Sequence, residues 1–169
     1  PGVGVGGKHM FKNEAPGATS EGLRPRIAKT AGVLWWLYVG FTVVLFIVLL
    51  FLGMDAFDAV CHSLTTMATG GFSTRNASLG AFDAHIQYTV AIFMLLGTVN
   101  YGLYFIALRQ QSLRHFARST EFRVFVGVVL LTTLALMIAN YELHGAELEV
   151  SFRRSLFMVA TTISSTGYS

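Results

Sequence analysis

Three long stretches of the chain carry no charged side chain: Val33 to Gly53, Ile86 to Leu108 and Val124 to Tyr141. The first is 21 residues long and the second 23. At 1.5 Å per residue, each suffices to cross a hydrocarbon core about 30 Å thick. Trp35, Trp36 and Tyr38 stand at the first turn of the first stretch, where amphipathic rings favour a membrane interface. Two shorter apolar segments, Ala56 to Ala68 and Ser155 to Ser164, follow the first and third stretches. They are too short to span and read as half-helices that enter the bilayer and turn back. Each ends in a cluster of Thr, Ser and Gly. The pattern predicts an all-α integral membrane protein built from repeated helix–re-entrant pore loop–helix units. The units are 1–31, a polar segment; 32–108, a complete repeat; 109–121, a connecting loop; and 122–169, the start of a second repeat, which stops at its loop.

Composition agrees with this pattern. More than half of the 169 residues are hydrophobic and 12% are charged, against about a quarter in a soluble domain. A net charge of +3 is too small to argue for nucleic acid. The placement of charge is more informative. Arg109, Arg114, Arg118 and Arg123 face a single acid, Glu121, and the first 31 residues are also basic. The stretch 142–149 holds three glutamates and no Lys or Arg, and 54–85 holds three aspartates and one arginine. By the positive-inside rule, 1–31 and 109–121 are cytoplasmic and the short segments enter from outside. The chain lacks an initiator methionine and a cleavable leader, and Ser169 falls within the second loop motif. The expectation is an internal piece of a longer protein.

The two loop motifs align. Thr65-Thr66-Met67-Ala68-Thr69-Gly70-Gly71-Phe72-Ser73 lies over Thr161-Thr162-Ile163-Ser164-Ser165-Thr166-Gly167-Tyr168-Ser169, with identities at Thr65/Thr161, Thr66/Thr162, Gly71/Gly167 and Ser73/Ser169. Internal repeats are a common way to build transport proteins. Non-helical backbone at membrane depth persists only where protein or a watery cavity satisfies it. A Thr/Ser/Gly loop after a half-helix meets that condition if its carbonyls replace the hydration shell of a cation. Glycine lets successive carbonyls turn toward one axis. The short helices would aim their partly negative C-terminal ends at the same place. The hydroxyls of Thr69, Ser165 and Thr166 line the path or tie the loop to its helix. The aromatic after the glycine, Phe72 or Tyr168, braces it from behind.

FDAVCHSLTTMATGGFST, followed by an uncharged span containing GTVNYGL, resembles the second pore loop and lining helix of the TrkH/KtrB potassium-uptake family, and SLFMVATTISSTGYS resembles the third. The stretch from GVGG to PRIAKT also resembles that family's cytoplasmic approach to the repeat. The resemblance implies four repeats with pseudo-fourfold symmetry around one pore, potassium uptake across a bacterial inner membrane, and no enzymatic activity. By position it puts the ion-coordinating carbonyls on Thr69, Gly70, Ser165 and Thr166, with Gly71 and Gly167 as filter glycines. It implies a homodimer, a cytosolic nucleotide-binding regulatory subunit of the TrkA/KtrA type, and potassium as the transported ligand with no other cofactor. Channel and proton- or sodium-coupled symporter remain open. So do a weakly selective monovalent cation channel and, in another class, a structural membrane subunit.

Other motifs read more simply. Gly2 to Lys8 has phosphate-loop spacing, but His9 stands where Ser or Thr should hold magnesium. His62, His85 and His144 have no metal-ligand spacing, and one cysteine, Cys61, excludes an internal disulfide and a multi-Cys zinc site. Asp55 and Asp58 at the first half-helix serve its N-terminus or a cation-attracting vestibule. Asn100 within the second span suits a helix–helix hydrogen bond, and Gly97 and Gly102 suit close packing. Asn76-Ala77-Ser78 is a glycosylation sequon by pattern only. Ser63 and His62 are adjacent on one helix and point apart, which opposes a nucleophile–base pair.

Overall fold

The computed structural model describes residues 20–112, 114–144 and 147–168, all helical or loop. The phosphate-loop-like stretch Gly2 to Lys8 and the terminal Ser169 lie outside the described residues. The chain divides into a unit ending at Leu37 and a unit from Tyr38 onward. Both loops belong to the second unit.

Helix α1, Ser20–Phe51, contains the first expected span. It ends where Gly53 takes a left-handed φ of 88°. The Gly53 N–H donates to the Leu50 carbonyl and the Met54 N–H to the Leu49 carbonyl. That glycine-centred cap satisfies carbonyls the helix end would otherwise orphan. Helix α2, Ala56–Met67, follows at once, capped by the Asp55 side chain, which accepts from the Phe57 N–H. Its 12 residues rise about 18 Å, half a bilayer.

The second uncharged stretch is not one helix. It forms α3, Ala84–Thr98, and α4, Tyr101–Gln110, bent 88° apart. The cause is local. Val99 is extended, and Asn100 turns its side-chain oxygen to accept the Gly102 N–H at 2.8 Å. Asn is a strong N-cap and a weak helix interior. Gly102 admits this cap: a Cβ there would lie 3.0 Å from the Asn100 oxygen. The Tyr104 hydroxyl donates at 2.7 Å to the Leu96 carbonyl, covering an acceptor freed by the break. Asn100 also donates to Glu121 at 3.3 Å, so the expected interhelical bond forms, but from a cap position. Gly97 does pack closely, its would-be Cβ 3.4 Å from Met67.

A short helix α5, Arg114–Arg118, leads into α6, Thr120–His144, the third span. Helix α7, Leu148–Ile163, is 16 residues long and starts within the acidic stretch expected to be loop. It packs on α6 and α3. At its outer end Arg153 donates to Gln87 of α3 at 2.6 Å and to Glu149 at 3.1 Å, while the Tyr88 hydroxyl donates to Glu149.

Burial runs opposite to a water-soluble domain. Leu130 and Leu131 of α6 are 62% and 70% exposed, while Asp58, His62, Ser63, Thr66, Ser155 and Thr161 are buried. An apolar outside and a polar inside suit lipid as the outer solvent, where packing and hydrogen bonds rather than water exclusion join helices. Leu45, Leu49, Ala59, Val90, Met94, Ala160 and Tyr168 form one apolar core beside the two half-helices.

Candidate functional site

Each half-helix ends directly at its loop, and three successive backbone hydrogen bonds of the first loop recur in the second, while the Gly71 N–H to Thr65 carbonyl bond belongs to the first alone among the described residues. In the first, the Ala68 N–H donates to Leu64, Thr69 to Thr66 and Gly70 to Thr65. In the second, Ser164 donates to Ala160, Ser165 to Thr162 and Thr166 to Thr161. Thr69 and Ser165 are left-handed, at φ 51° and 57°, as are Gly71 and Gly167, at 65° and 85°. A non-glycine residue in that region is uncommon and costs about 1 kcal/mol or more. Both loops hold one at the same position, so the conformation is selected rather than incidental.

The loops then close on their own helices. The Thr65 hydroxyl lies 3.0 Å from the Phe72 carbonyl, and Thr161 donates to the Tyr168 carbonyl at 3.1 Å. This explains the Thr65/Thr161 identity in the alignment. The carbonyls of Thr69, Gly70, Ser165 and Thr166 accept no hydrogen bond among the described residues. The two loops also meet. A Cβ on Gly71 would fall on the Thr166 carbonyl oxygen and lie 3.0 Å from the Gly167 carbonyl carbon. No side chain larger than hydrogen fits there. Of the six residues singled out in the sequence, Gly71 of the first loop is thus brought against Thr166 and Gly167 of the second.

Several anchoring residues were not legible as such in the sequence. Asp58, 4% exposed, accepts from Thr74 at 2.6 Å and from two Arg75 nitrogens at 2.7 and 3.0 Å. The Thr74 hydrogen bond and the Arg75 guanidinium hold its carboxyl below the ordinary carboxylate value. Arg75 neutralises this charge, so Asp58 does not serve as a bare cation-attracting group; Asp55 is a helix cap. His62 is fully buried. Its Nδ1 faces the Asp58 carbonyl at 2.7 Å, which only accepts, so Nδ1 carries the hydrogen. Nε2 lies 2.9 Å from the Ser73 hydroxyl, and the Ser73 oxygen accepts from the Arg75 N–H. One face of α2, with Asp58 and His62 four apart, thus grips the strand leaving the loop. The signal in the sequence was that i, i+4 spacing beside Ser73 and Arg75.

The two aromatics differ. Tyr168 is 3% exposed, with its hydroxyl 2.6 Å from the Thr65 hydroxyl, 3.0 Å from Thr66 and 3.3 Å from the His62 carbonyl. It braces the other repeat rather than its own loop. Phe72, expected to brace as well, is 75% exposed and packs against nothing comparable among the described residues.

Comparison with known proteins gives the family and the fold. A family model described as a cation transport protein, TrkH, matches residues 1–169. The chain belongs to the TrkH family. The Trk system potassium uptake protein TrkH of Escherichia coli K12 is 42% identical over 99% of this chain and 35% of its own length. TrkH of Halomonas elongata is 35% identical over 100% of this chain and 36% of its own. The crystal structure of the potassium transporter TrkH from Vibrio parahaemolyticus superposes with a TM-score of 0.81 and 31% identity, covering 92% of this chain and 33% of that one. The chain thus spans about a third of the TrkH relatives it matches. The all-helical membrane fold with pore-loop repeats is that of the TrkH transporter.

Proposed function

We propose that this chain supplies two of the loops through which potassium crosses a bacterial inner membrane, with the carbonyls of Thr69, Gly70, Ser165 and Thr166 replacing part of the ion's hydration shell. The observation that carries the reading is the pairing of two loops with the same left-handed backbone, in contact at Gly71 and Thr166, whose carbonyls at Thr69, Gly70, Ser165 and Thr166 accept no hydrogen bond among the described residues. A desolvated cation needs several oxygen dipoles at once, and one loop cannot surround it. The relatives' names, potassium uptake proteins, supply the ion.

Potassium is the cargo, and no resident cofactor and no bond chemistry enter the reading. The basic segments 1–31 and 109–121 face the cytoplasm. The homodimer and the nucleotide-binding regulatory subunit, which the family resemblance implies, belong to the same proposal. The test is rescue of potassium-dependent growth by the full-length gene in an uptake-deficient strain, with rubidium and sodium fluxes compared. Rescue with rubidium uptake above sodium uptake is expected. Expression at the membrane without rescue or rubidium uptake overturns it.

A further inference from the structure

The Tyr168 hydroxyl reaches across 103 residues of sequence to the base of the other loop. Each hydroxyl has one hydrogen to give. Where Tyr168 donates to Thr65 at 2.6 Å rather than to the His62 carbonyl at 3.3 Å, the Thr65 hydrogen is shared between the Cys61 carbonyl of its own helix at 2.9 Å and the Phe72 carbonyl at 3.0 Å. The result is a chain, Tyr168 to Thr65 to Phe72, that begins next to Gly167 and ends next to Gly71. The Tyr168 carbonyl is meanwhile held by Thr161 of its own helix. Both glycines therefore sit beside residues tied into one hydrogen-bonded unit, whose Tyr168 end is buried with Thr66 and whose Phe72 end is exposed. Tyr168 also belongs to the apolar core that holds α2 and α3 together.

We infer that Tyr168 is a positioning residue for ion selectivity: its phenol couples the two loops so that the spacing of their carbonyls is set jointly. The inference rests on the proposed permeation path and adds the device that fixes its geometry. Selectivity depends on the number and placement of oxygen dipoles. A loop free to relax by a few tenths of an ångström can close on a smaller ion. Loss of the link should therefore admit sodium more than it slows rubidium. The asymmetry between the repeats supports a specific role. The residue matching Tyr168 is Phe72, which has a ring but no hydroxyl.

The experiment uses the full-length protein in the uptake-deficient strain and, purified, in detergent. Tyr168→Phe, Thr65→Val and the double variant are compared with Thr65→Ser, which keeps the hydroxyl. The rubidium-to-sodium flux ratio is expected to fall roughly fivefold in Tyr168→Phe, the factor that goes with one lost hydrogen bond between neutral groups. Thr65→Val should fall similarly and the double variant little further, while Thr65→Ser keeps most of the ratio. A thermal-unfolding cycle on the same four variants should show coupling between positions 65 and 168 independently of transport. An unchanged ratio in a folded Tyr168→Phe, or a proportional loss of both fluxes, overturns the inference while leaving the permeation path standing. Absence of rubidium flux in the unmodified protein overturns the path and this inference together.

Discussion

The first loop and the second have the same backbone and different scaffolding. Ninety-six residues apart, Thr69 and Ser165 share one conformation, as do Gly71 and Gly167. Behind the first loop, Asp58 and His62 grip Ser73, Thr74 and Arg75. The matching positions on α7 are Arg154 and Met158, which can make neither of those bonds. The second half-helix is instead held at its outer end, where Arg153 joins Gln87 of α3. The backbone path is common to both loops, and different side-chain anchors hold it.

The largest expected effect separates the two glycines. A Cβ on Gly71 meets the Thr166 carbonyl, whereas one on Gly167 meets nothing within 4 Å among the described residues. Gly71→Ala should lower rubidium uptake by at least about a hundredfold, since backbone strain and a clash with main chain add together. Gly167→Ala carries the strain alone, about 1–2 kcal/mol, and should lower uptake roughly tenfold. Equal losses would erase the distinction drawn between the loops.

The next effect concerns anchoring. Asp58→Asn should lower the thermal midpoint of the purified protein and its rubidium uptake, because Arg75 and Thr74 lose their charged acceptor. Arg154→Gln, at the matching position, should do less; thermal melts in detergent compare them. The Asp58 carboxyl is depressed on folding, so its contribution is complete above the ordinary carboxylate value and is lost as pH falls through the lower folded one. Melting midpoints from about pH 5 to about pH 8 should show no loss from this pair, with decline beginning only below about pH 4. A decline already at pH 6 in the parent that is absent in Asp58→Asn would contradict the assignment.

Smaller still is the outer clamp. Arg153→Ala removes a hydrogen bond to neutral Gln87 and a half-exposed pair with Glu149. A loss of about 0.5–1.5 kcal/mol in stability is expected, with ion selectivity unaltered, as flux ratios would report.

What the sequence disclosed follows from what repeats and what is short-range. Thr65/Thr161 and Gly71/Gly167 stand out because each loop needs the same tie and the same left-handed turn. The half-helices stand out because their length is incompatible with a span. The break at Asn100 was hidden because the run from Ile86 to Leu108 is uncharged throughout, and hydropathy does not register a cap. The start of α7 was hidden because Leu148 and Glu149 read as an acidic loop until Arg153 and Tyr88 are seen to donate to Glu149 and anchor the turn. The links from Tyr168 to Thr65 and from Asp58 to Arg75 depend on how separate segments pack, and spacing along the chain does not contain that information. Phe72 and Tyr168 look equivalent in the alignment, yet only Tyr168 meets its counterpart helix among the described residues.

The central claim is that four main-chain oxygens, two from each loop, face one ion. Anomalous diffraction from rubidium-soaked crystals of the full-length protein tests it directly. The account predicts a rubidium peak within coordination distance of the carbonyls of Thr69, Gly70, Ser165 and Thr166. Rubidium bound elsewhere along the pore, with no density at those four oxygens, would contradict it.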